Sequence, residues 1–429
     1  MRIAVVGAYG LIGTAVALRL QRDGHEVVGI GRDVASARRR LTLAAWIALD
    51  VRRATPADWA AALDGAGALV NCAGVLQDSL RDDVQAVHVD ALAAMTAACA
   101  QVGPHRIVHV SAAGLAPAQG PFARTKLAGE EALRGADVDW VILRPALVLG
   151  PSSYGGSGLL RGLAAFPGLI LAMAPAQVVQ TVWIDDVAEA VARSVPPGAP
   201  SRITCDLAAP GDTSLGEILR ALRAWLGLPD APLVAIPSGL GWAAAGAADA
   251  LGWLGWRSPM RSTSVRQLLA GVRAVSRDAE AKLGFAPRPL ETALRANPTG
   301  VEQRRHARAY FVKPLALATL AAFWAASGLV GLTALPAAAR VLTSAGFDAG
   351  LARGLAVGGA VADLALAAGV AVRRTAPSAL KGMLALSAAY LGAASIWTPG
   401  LWADPLGPLV KIIPAAALAL AALALMDER

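Results

Sequence analysis

Charged side chains are scarce in this sequence. They make up 16% of its 429 residues, whereas hydrophobic residues make up 55%. A typical soluble domain has about 25% charged residues, so this composition argues against a purely soluble protein. The formal charge of +8 at pH 7 comes from scattered Arg and Lys residues, with no basic face that alternates with aromatic residues. We therefore expect a membrane, and no nucleic acid, as the partner.

Cysteine is also scarce. The sequence has only Cys72, Cys99 and Cys205, which are widely spaced and odd in number. This pattern argues against a disulfide framework, and no spacing typical of a metal site is present. We expect ordinary buried thiols in a reducing compartment and no metal. The first predicted strand starts at Arg2, which leaves no room for a signal peptide.

Long apolar runs are abundant in the last third of the chain. Four of them follow one another, at Phe311–Leu332, Gly350–Val372, Ala379–Trp397 and Leu409–Met426. Each approaches or exceeds the roughly 20 residues that a helix needs to cross a bilayer. We therefore predict a four-helix transmembrane domain over residues 306–429.

Basic residues around these runs predict the orientation, because cytoplasmic loops are enriched in Lys and Arg. Those that precede the first run or separate the second from the third are Arg304, Arg305, Arg308, Lys313, Arg373, Arg374 and Lys381. The other loops carry few. The sequence therefore predicts a multi-pass protein of the bacterial cytoplasmic (inner) membrane with both termini in the cytoplasm.

Asp363 is the exception within the apolar runs. A carboxylate at that depth is costly and is a functional candidate by default. Two interpretations are open. The carboxylate pairs with Arg340 or Lys411, or it makes a polar contact between packed helices.

The first 210 residues alternate between strand and helix patterns. "RIAVVGA" predicts a strand, "GTAVALRLQRDG" a helix, and "EVVGIGR", "ALVNCAG", "RIVHVSAAG" and "DWVILRPALVLG" predict later strands. This order predicts an α/β fold, a doubly wound parallel sheet of the Rossmann type, over residues 1–210. Residues 211–305 read as a small helical lobe that covers the carboxyl edge of the sheet. Within the lobe, 239–256 predicts an amphipathic helix, either buried or on the membrane surface.

The segment "GAYGLIG" lies between the first strand and the first helix. Its three glycines allow a tight turn, close approach to a pyrophosphate, and close packing of helix on strand, while the helix N-terminus faces the phosphates. Because strand, spacing and helix agree, we predict a dinucleotide-binding loop. Its cofactor-binding residues are Gly7, Tyr9, Gly10, Leu11, Ile12 and Gly13.

The end of the second strand bears on the choice of cofactor. NAD-specific sites place an acid there for the ribose hydroxyls. Here Arg32 offers a guanidinium to a 2′-phosphate, so we favour NADPH over NADH, although Asp33 follows at once and competes. Asp50, followed by Val51, is placed to accept from the adenine amino group. The alternative for Asp50 is a solvated loop acid.

Several segments together resemble the short-chain dehydrogenase/reductase superfamily. They are "GAYGLIG", "LDV", "VNCAG", "HVSAAG", "FARTK", "LRPALVLGP" and "VWIDDVAEAV", in that family's order and spacing. The resemblance covers roughly residues 1–300 and is greatest to extended and atypical members, which include the NADPH-binding accessory subunit of mitochondrial complex I. The tail, with "LWADPLGPLVKIIP", resembles the DoxX-like membrane domain. The whole chain is similar to bacterial fusions of the two.

This resemblance implies roles for particular residues. The turn after the fourth predicted strand would line the cofactor with Asn71, Cys72, Ala73 and Gly74. Ser111 would orient a substrate carbonyl, Lys126 would hold the nicotinamide ribose, and Pro145 would contact the nicotinamide end. Active members also have a tyrosine four residues before the lysine, whose phenol exchanges a proton with the substrate oxygen. Here Phe122 occupies that position.

The missing phenol leaves three functions open. The first is an NADPH-dependent oxidoreductase with a lipophilic acceptor such as a quinone or an isoprenoid, with Tyr154 as a candidate catalytic hydroxyl. Tyr154 lies in "PSSYGGSG", which also fits a plain loop. The second is a catalytically retired NADPH-binding subunit of a membrane protein complex. The third, an epimerase or dehydratase acting on a nucleotide sugar, normally needs the same tyrosine.

Overall fold

The computed structural model describes residues 1–79, 82–104, 106–115, 120–275 and 277–426. These residues form two compact units. The first comprises Met1–Asp249 and Ser258–Ala307, and the second comprises Ala250–Arg257 and the chain from Arg308 onward.

In the described part of the chain, eleven strands belong to the first unit. They are β1 (Arg2–Val6), β2 (Glu26–Gly31), β3 (Ala45–Ala48), β4 (Ala68–Asn71), β5 (Arg106–Val110), β6 (Asp139–Pro145), β7 (Leu147–Leu149), β8 (Ile170–Ala172), β9 (Thr181–Trp183), β10 (Ile203–Leu207) and β11 (Leu233–Ala235). Seven of them form one parallel sheet in the order β10-β6-β5-β4-β1-β2-β3. The predicted doubly wound sheet is thereby confirmed. The order in which successive strands are added reverses between β1 and β4, and such sheets bind ligands at that point.

The helices run through both units. They are α1 (Leu11–Arg22), α2 (Val34–Arg40), α3 (Pro56–Ala62), α4 (Ala91–Val102), α5 (Pro121–Arg134), α6 (Gly156–Ala164), α7 (Ile184–Ser194), α8 (Leu215–Trp225), α9 (Ser238–Trp253), α10 (Ser262–Ala270), α11 (Asp278–Leu283), α12 (Leu290–Ala296), α13 (Val301–Ala309), α14 (Val312–Thr333), α15 (Leu335–Ser344), α16 (Ala349–Ala371), α17 (Ala376–Trp397) and α18 (Ile412–Ala424). A π-helical turn, Ala86–Asp90, precedes α4, and a 3₁₀ turn, Pro399–Trp402, follows α17.

The sheet is covered on both faces, which explains why its strands are continuous apolar runs. On one face, α1 and α7 contribute Leu20 and Val191 to the core. On the other face, α3, α4 and α5 contribute Trp59, Met95 and Leu133. These layers hold the carboxyl edge of the sheet fixed, and that edge carries the candidate site.

Four of the described strands lie outside the seven-stranded sheet, and of these only β11 falls within the predicted lobe of residues 211–305. Strands β7 and β9 pair in parallel, as do β8 and β11, and each strand has only three residues. They share a core with α8 that includes Ile170 of β8, Trp183 of β9 and Leu219 of α8. The sequence predicted β7 as the end of the strand "DWVILRPALVLG", but β8, β9 and β11 carry too few residues for an alternating pattern to stand out.

Three helical segments are long and apolar enough to cross a membrane, and all but the first seven residues of the first one belong to the second unit. They are Val301–Thr333, Ala349–Ala371 and Ala376–Trp397 among the residues searched. The fourth predicted span is shorter than expected, because α18 has only 13 residues. Its rise of about 20 Å falls short of the ~30 Å hydrocarbon core. Gly407, with a φ of 56°, and Pro408 interrupt the helical backbone ahead of it.

Asp363 binds two hydroxyl groups from neighbouring helices. Ser327 Oγ of α14 lies 2.6 Å from Asp363 Oδ2, and Tyr390 OH of α17 lies 2.9 Å from Oδ1. The predicted pairing with Arg340 or Lys411 is therefore wrong, and the alternative of a contact between packed helices describes the geometry. Small residues allow this close approach, since a Cβ added to Gly359 would lie 2.9 Å from the Tyr390 hydroxyl.

Candidate functional site

The glycine loop occupies the crevice between β1 and β4. Gly7 has a φ of 72°, a conformation that favours glycine, and a Cβ there would lie 3.2 Å from the nitrogen of Ala73. A Cβ at Gly13 would lie only 2.1 Å from the carbonyl oxygen of Gly7. Side chains at either position would fill the space that a bound dinucleotide needs or push α1 from the sheet. The residues present therefore fit an NAD(P) cofactor.

The N-terminus of α1 faces this loop. Gly10 is its N-cap residue and supplies no side-chain hydrogen bond to the first turn. The first N–H groups of a helix lack partners within the helix and attract anions. Leu11 and Ile12 begin this turn, so the predicted phosphate-binding residues lie together.

The end of β2 is rich in charge. Arg32 Nη2 lies 3.2 Å from Asp82 Oδ1, and the backbone N–H of Arg32 donates to the hydroxyl of Tyr9 at 3.3 Å. Asp33 caps α2 by accepting from the N–H of Ser36, so its carboxylate is already engaged. Arg32 is thus tethered at the end of β2 by a carboxylate that sequence analysis did not single out.

Asp50 is also paired. Arg52 donates to both its carboxylate oxygens, through Nε at 2.9 Å and Nη2 at 2.5 Å. These hydrogen bonds lower the pKa of Asp50 below its usual value, against the opposing effect of burial. Val51 lies between the two partners. Asp50 therefore presents an ionised carboxylate that Arg52 already satisfies.

Lys126 is buried beside the ends of β4 and β5. Its Nζ donates to the carbonyl oxygen of Val110 at 3.2 Å. A Cβ added to Gly74 would lie 3.5 Å from the same nitrogen, so Lys126 borders the loop that follows β4. Burial lowers the pKa of Lys126 to about 8, although the charge of Glu130 opposes this shift. Lys126 therefore borders both β5 and the Asn71–Gly74 turn, and its contact with a nicotinamide ribose stays a prediction.

Ser111 is directed at a carboxylate. Its Oγ donates to Glu130 Oε1 at 2.5 Å, and Arg144 and Arg134 also bind Glu130. Burial alone would raise the pKa of Glu130, but hydrogen bonds from Arg144 and Ser111 outweigh it and lower the pKa. In this structure Ser111 thus joins a buried ionic network, while its role toward a substrate carbonyl stays a prediction.

His88 packs against Phe122 and is itself held by two hydrogen bonds. Its Nε2 accepts from the N–H of Val75 at 3.2 Å, so its Nδ1 carries the proton and donates to Thr125 Oγ1 at 2.8 Å. The ring meets the Phe122 ring edge-on, with centroids 5.6 Å apart. Burial lowers the pKa of His88 to about 3, so the imidazole is neutral. A phenyl ring and a neutral imidazole therefore stand where a phenol is usual.

Asn71 shapes the turn after β4. Its side-chain oxygen accepts from the N–H of Ala73 at 3.0 Å, and its nitrogen lies 3.1 Å from Nδ1 of His109. Cys72, which lies between Asn71 and Ala73 in the sequence, is a half-buried free thiol, whereas Cys99 and Cys205 are buried. The turn Asn71–Gly74 is thereby held against the glycine loop.

The two remaining predicted residues are Pro145 and Tyr154. Pro145 ends β6 and is buried, and its carbonyl accepts from the N–H of Ala113 at 2.9 Å. Tyr154 lies before α6 and is 47% exposed, with its backbone N–H bonded to Ser157 Oγ. The structure therefore places Pro145 beside the site and Tyr154 in a surface loop.

The sequence analysis did not single out Asp82, His88, Glu130 or Arg144 as site residues. Glu130 could have been found, because it follows Lys126 by one helical turn and lies on the same face. His88 and Arg144 give no such local signal, since their partners lie on other elements.

Comparisons with known proteins match both ends of the chain. Residues 3–195 match the model of the NAD dependent epimerase/dehydratase family. Residues 321–420 match the model of the DoxX-like family. Both parts of the resemblance drawn from the sequence are thereby confirmed.

Two curated relatives match parts of the chain. An uncharacterized protein of Mycobacterium tuberculosis is 32% identical over 233 residues, which are 54% of this chain and 24% of the relative. A ceramide reductase of Caulobacter vibrioides is 27% identical over 191 residues, which are 43% of this chain and 58% of the relative. The chain thus spans 24% and 58% of the lengths of these relatives.

Solved structures share the fold. A UDP-glucose 4-epimerase of Thermotoga maritima aligns with a TM-score of 0.54 and 15% identity, over 71% of this chain and 99% of its own. An NADPH-dependent quinone oxidoreductase of Escherichia coli, complexed with NADPH, aligns with a TM-score of 0.53 and 18% identity, over 68% and 99%. At these identities the likeness concerns the NAD(P)-binding fold alone.

Proposed function

We propose that this chain, which joins an epimerase/SDR-like NAD-binding Rossmann domain to a C-terminal DoxX-like domain, is a membrane-bound NADPH-dependent oxidoreductase for a lipophilic carbonyl acceptor. The acceptor class includes quinones and isoprenoid or lipid ketones. A bound reduced nicotinamide would supply the hydride, and the acceptor oxygen would take up a proton. The three-part division into 1–210, 211–305 and 306–429 is part of this proposal.

The observation that carries the proposal is the setting of Lys126. Its buried amine borders both Val110 and the Asn71–Gly74 turn, at the carboxyl edge where the glycine loop opens. A buried ammonium with one hydrogen bond keeps two N–H donors for ribose hydroxyls. The glycine loop and Lys126 together mark the two ends of one nucleotide site.

Two observations support a lipophilic acceptor. The chain carries three apolar helical segments long enough to cross a membrane, more than an anchor requires. A relative that is 27% identical over 191 residues is named a ceramide reductase, and ceramide is a lipid. The preference for NADPH rests on Arg32, which stands at the end of β2 where a 2′-phosphate would lie.

Phe122 supports a second candidate, a catalytically retired NADPH-binding subunit with a structural or sensing role in a membrane complex. The phenyl ring offers no proton, His88 is neutral and bonded at both nitrogens, and Tyr154 is in a surface loop. Loss of general acid catalysis typically costs on the order of 10²–10⁴ in rate. In both candidates the protein resides in the bacterial inner membrane with its nucleotide site in the cytoplasm.

The nucleotide state of the purified protein separates the two candidates. We would purify the protein in detergent, denature it, and identify and quantify any released nucleotide. Near-stoichiometric NADPH that survives purification favours the retired subunit. An empty site that binds NADPH reversibly, with NADPH oxidation by a quinone or long-chain ketone, favours the enzyme. Release of NADH would contradict the role given to Arg32.

The variant Phe122→Tyr tests the missing phenol directly. It returns a proton donor four residues before Lys126, so we expect ketone reduction to rise by about 10²-fold or more. Phe122→Leu is the matched control, because it changes the packing on His88 without adding a hydroxyl. Equal rates for the two variants would show that proton transfer from this position does not limit the reaction.

A further inference from the structure

Helix α9 is apolar on every side and yet largely exposed. Ser238 to Ala248 include no charged residue, and the one acid, Asp249, pairs with Arg261 at 2.8 Å. Leu240 is 64% exposed and Trp253 is 73% exposed. Large apolar side chains with such exposure mark a surface that an apolar phase or partner covers.

One side of α9 packs on the first unit. Ala245 and Ala248 are buried, and a Cβ added to Gly241 would lie 2.4 Å from the sulfur of Met173. These three small residues recur at helical spacing and so share one face. Leu240 and Leu251 share another stripe, which remains exposed. The helix is therefore too exposed to be a core helix of the lobe.

The chain directly after α9 belongs to the membrane unit. Trp256 Nε1 donates to the carbonyl oxygen of Ala371 at 2.7 Å, at the end of α16. Its ring lies between two cations, with Arg373 Cζ 5.6 Å and Lys313 Nζ 5.9 Å from the centroid. Tryptophan among basic residues at the ends of apolar helices is typical of the membrane–water interface. This contact fixes where α9 ends relative to the apolar helices.

We propose that α9 lies along the cytoplasmic leaflet, at the boundary of headgroups and acyl chains, with the side that carries Leu240 and Leu251 in lipid. Its 16 residues rise by about 24 Å, less than the ~30 Å needed to span. We propose that lipid covers this exposed side, because α9 continues directly into residues 250–257 of the second unit. The placement does not depend on any redox activity of the protein.

Helix α10 follows α9 along the chain and contacts the candidate site within the first unit. Gln267 Nε2 of α10 donates to the carbonyl oxygen of Gly114 at 3.1 Å. Gly114 lies three residues after Ser111.

A local probe is needed, because the apolar helices alone would hold any variant in the membrane. We would place a spin label on a cysteine at position 240 (Leu240→Cys) in the full-length protein reconstituted in nanodiscs. A high collision rate of the label with oxygen indicates a lipid environment. A high collision rate with a water-soluble nickel chelate indicates exposure to water. Leu329→Cys, on α14 and 56% exposed, is the lipid reference, Asp64→Cys is the aqueous reference, and labelled wild type is the blank.

We expect the label at position 240 to match the label at 329, with high oxygen and low nickel access. Nickel access equal to that at position 64 would overturn the proposal. Low access to both reagents would also overturn it, since a second copy or another protein would then cover the helix. A label at Ala247, on the same stripe, repeats the test if Leu240→Cys does not fold.

Discussion

The ammonium group of Lys126 is buried, and its burial makes the folding stability of the protein depend on pH. The unfolded chain keeps the lysine proton up to a pKa near 10.5, whereas the folded chain keeps it only to about 8. Unfolding therefore takes up a proton between these values, so the stability contribution of Lys126 rises with pH across pH 8 to 10.5. Below pH 8 the full cost of burying the ammonium is present.

Lys126→Met should therefore stabilise the nucleotide-free protein at pH 7. The shift corresponds to a gain on the order of 3 kcal/mol, and the gain should vanish as the pH approaches 10.5. Thermal unfolding of both proteins in detergent, measured from pH 7 to 10.5, checks this. A difference that stays constant over the range would contradict a depressed lysine pKa. Lys126→Arg keeps the charge and is the control.

Arg32 determines the preference between cofactors if it meets a 2′-phosphate. Removing a charge-assisted hydrogen bond costs roughly 1.5–3 kcal/mol, so Arg32→Ala should weaken NADPH binding by about ten- to a hundredfold and NADH binding little. Calorimetric titration with both cofactors measures this. Arg39→Ala, exposed on the following helix, is the control. Equal weakening for both cofactors would assign Arg32 a structural role.

Asp82 offers a companion test at the same position. It holds Arg32 through an ion pair of 3.2 Å, and this pair competes with a phosphate for the guanidinium. Asp82→Asn would therefore tighten NADPH binding if the pair opens on binding.

At the scale of the element, helix α16 carries one carboxylate that joins three apolar helices. Asp363→Ala leaves the hydroxyls of Ser327 and Tyr390 without their acceptor. Interhelical hydrogen bonds in membrane proteins contribute about 0.6 to 2 kcal/mol each, so we expect the variant to unfold at a lower temperature in detergent. Thr333→Ala is the control, since that hydroxyl bonds within its own helix.

Asp363→Asn distinguishes packing from function. The amide keeps one acceptor, so a packing role predicts partial loss of stability and unchanged activity with a lipophilic acceptor. Full stability with lost activity would instead make Asp363 part of a site.

The sequence determined which elements form better than it determined which side chains meet. Strand β1 and the glycine loop were predictable because their signals are local, in the apolar run and in the spacing of Gly7 to Gly13. The partners of Asp363, and the engagement of Ser111 by Glu130, depend on how separate helices and strands pack. A single sequence carries no local signal for such contacts, and the charges of Arg340 and Lys411 suggested a different partner.

The whole molecule poses a question of topology. Both termini lie in the cytoplasm only if the apolar helices cross the membrane an even number of times. Three segments of the described chain are long enough, so the number of crossings depends on α18. The loop between α16 and α17 carries Arg373 and Arg374, which favours the cytoplasm for that loop and places the start of α16 outside.

We expect α18 to complete a fourth crossing, because the bilayer can thin around a short apolar helix at a modest cost and the flanking Leu409 and Val410 extend its apolar surface. A fusion of green fluorescent protein after Arg429 should then fluoresce in a bacterial host, and an alkaline phosphatase fusion there should be inactive. Phosphatase fused after Trp397 is the control and should be active. An active phosphatase at the C-terminus would mean three crossings, with α18 lying at the outer surface.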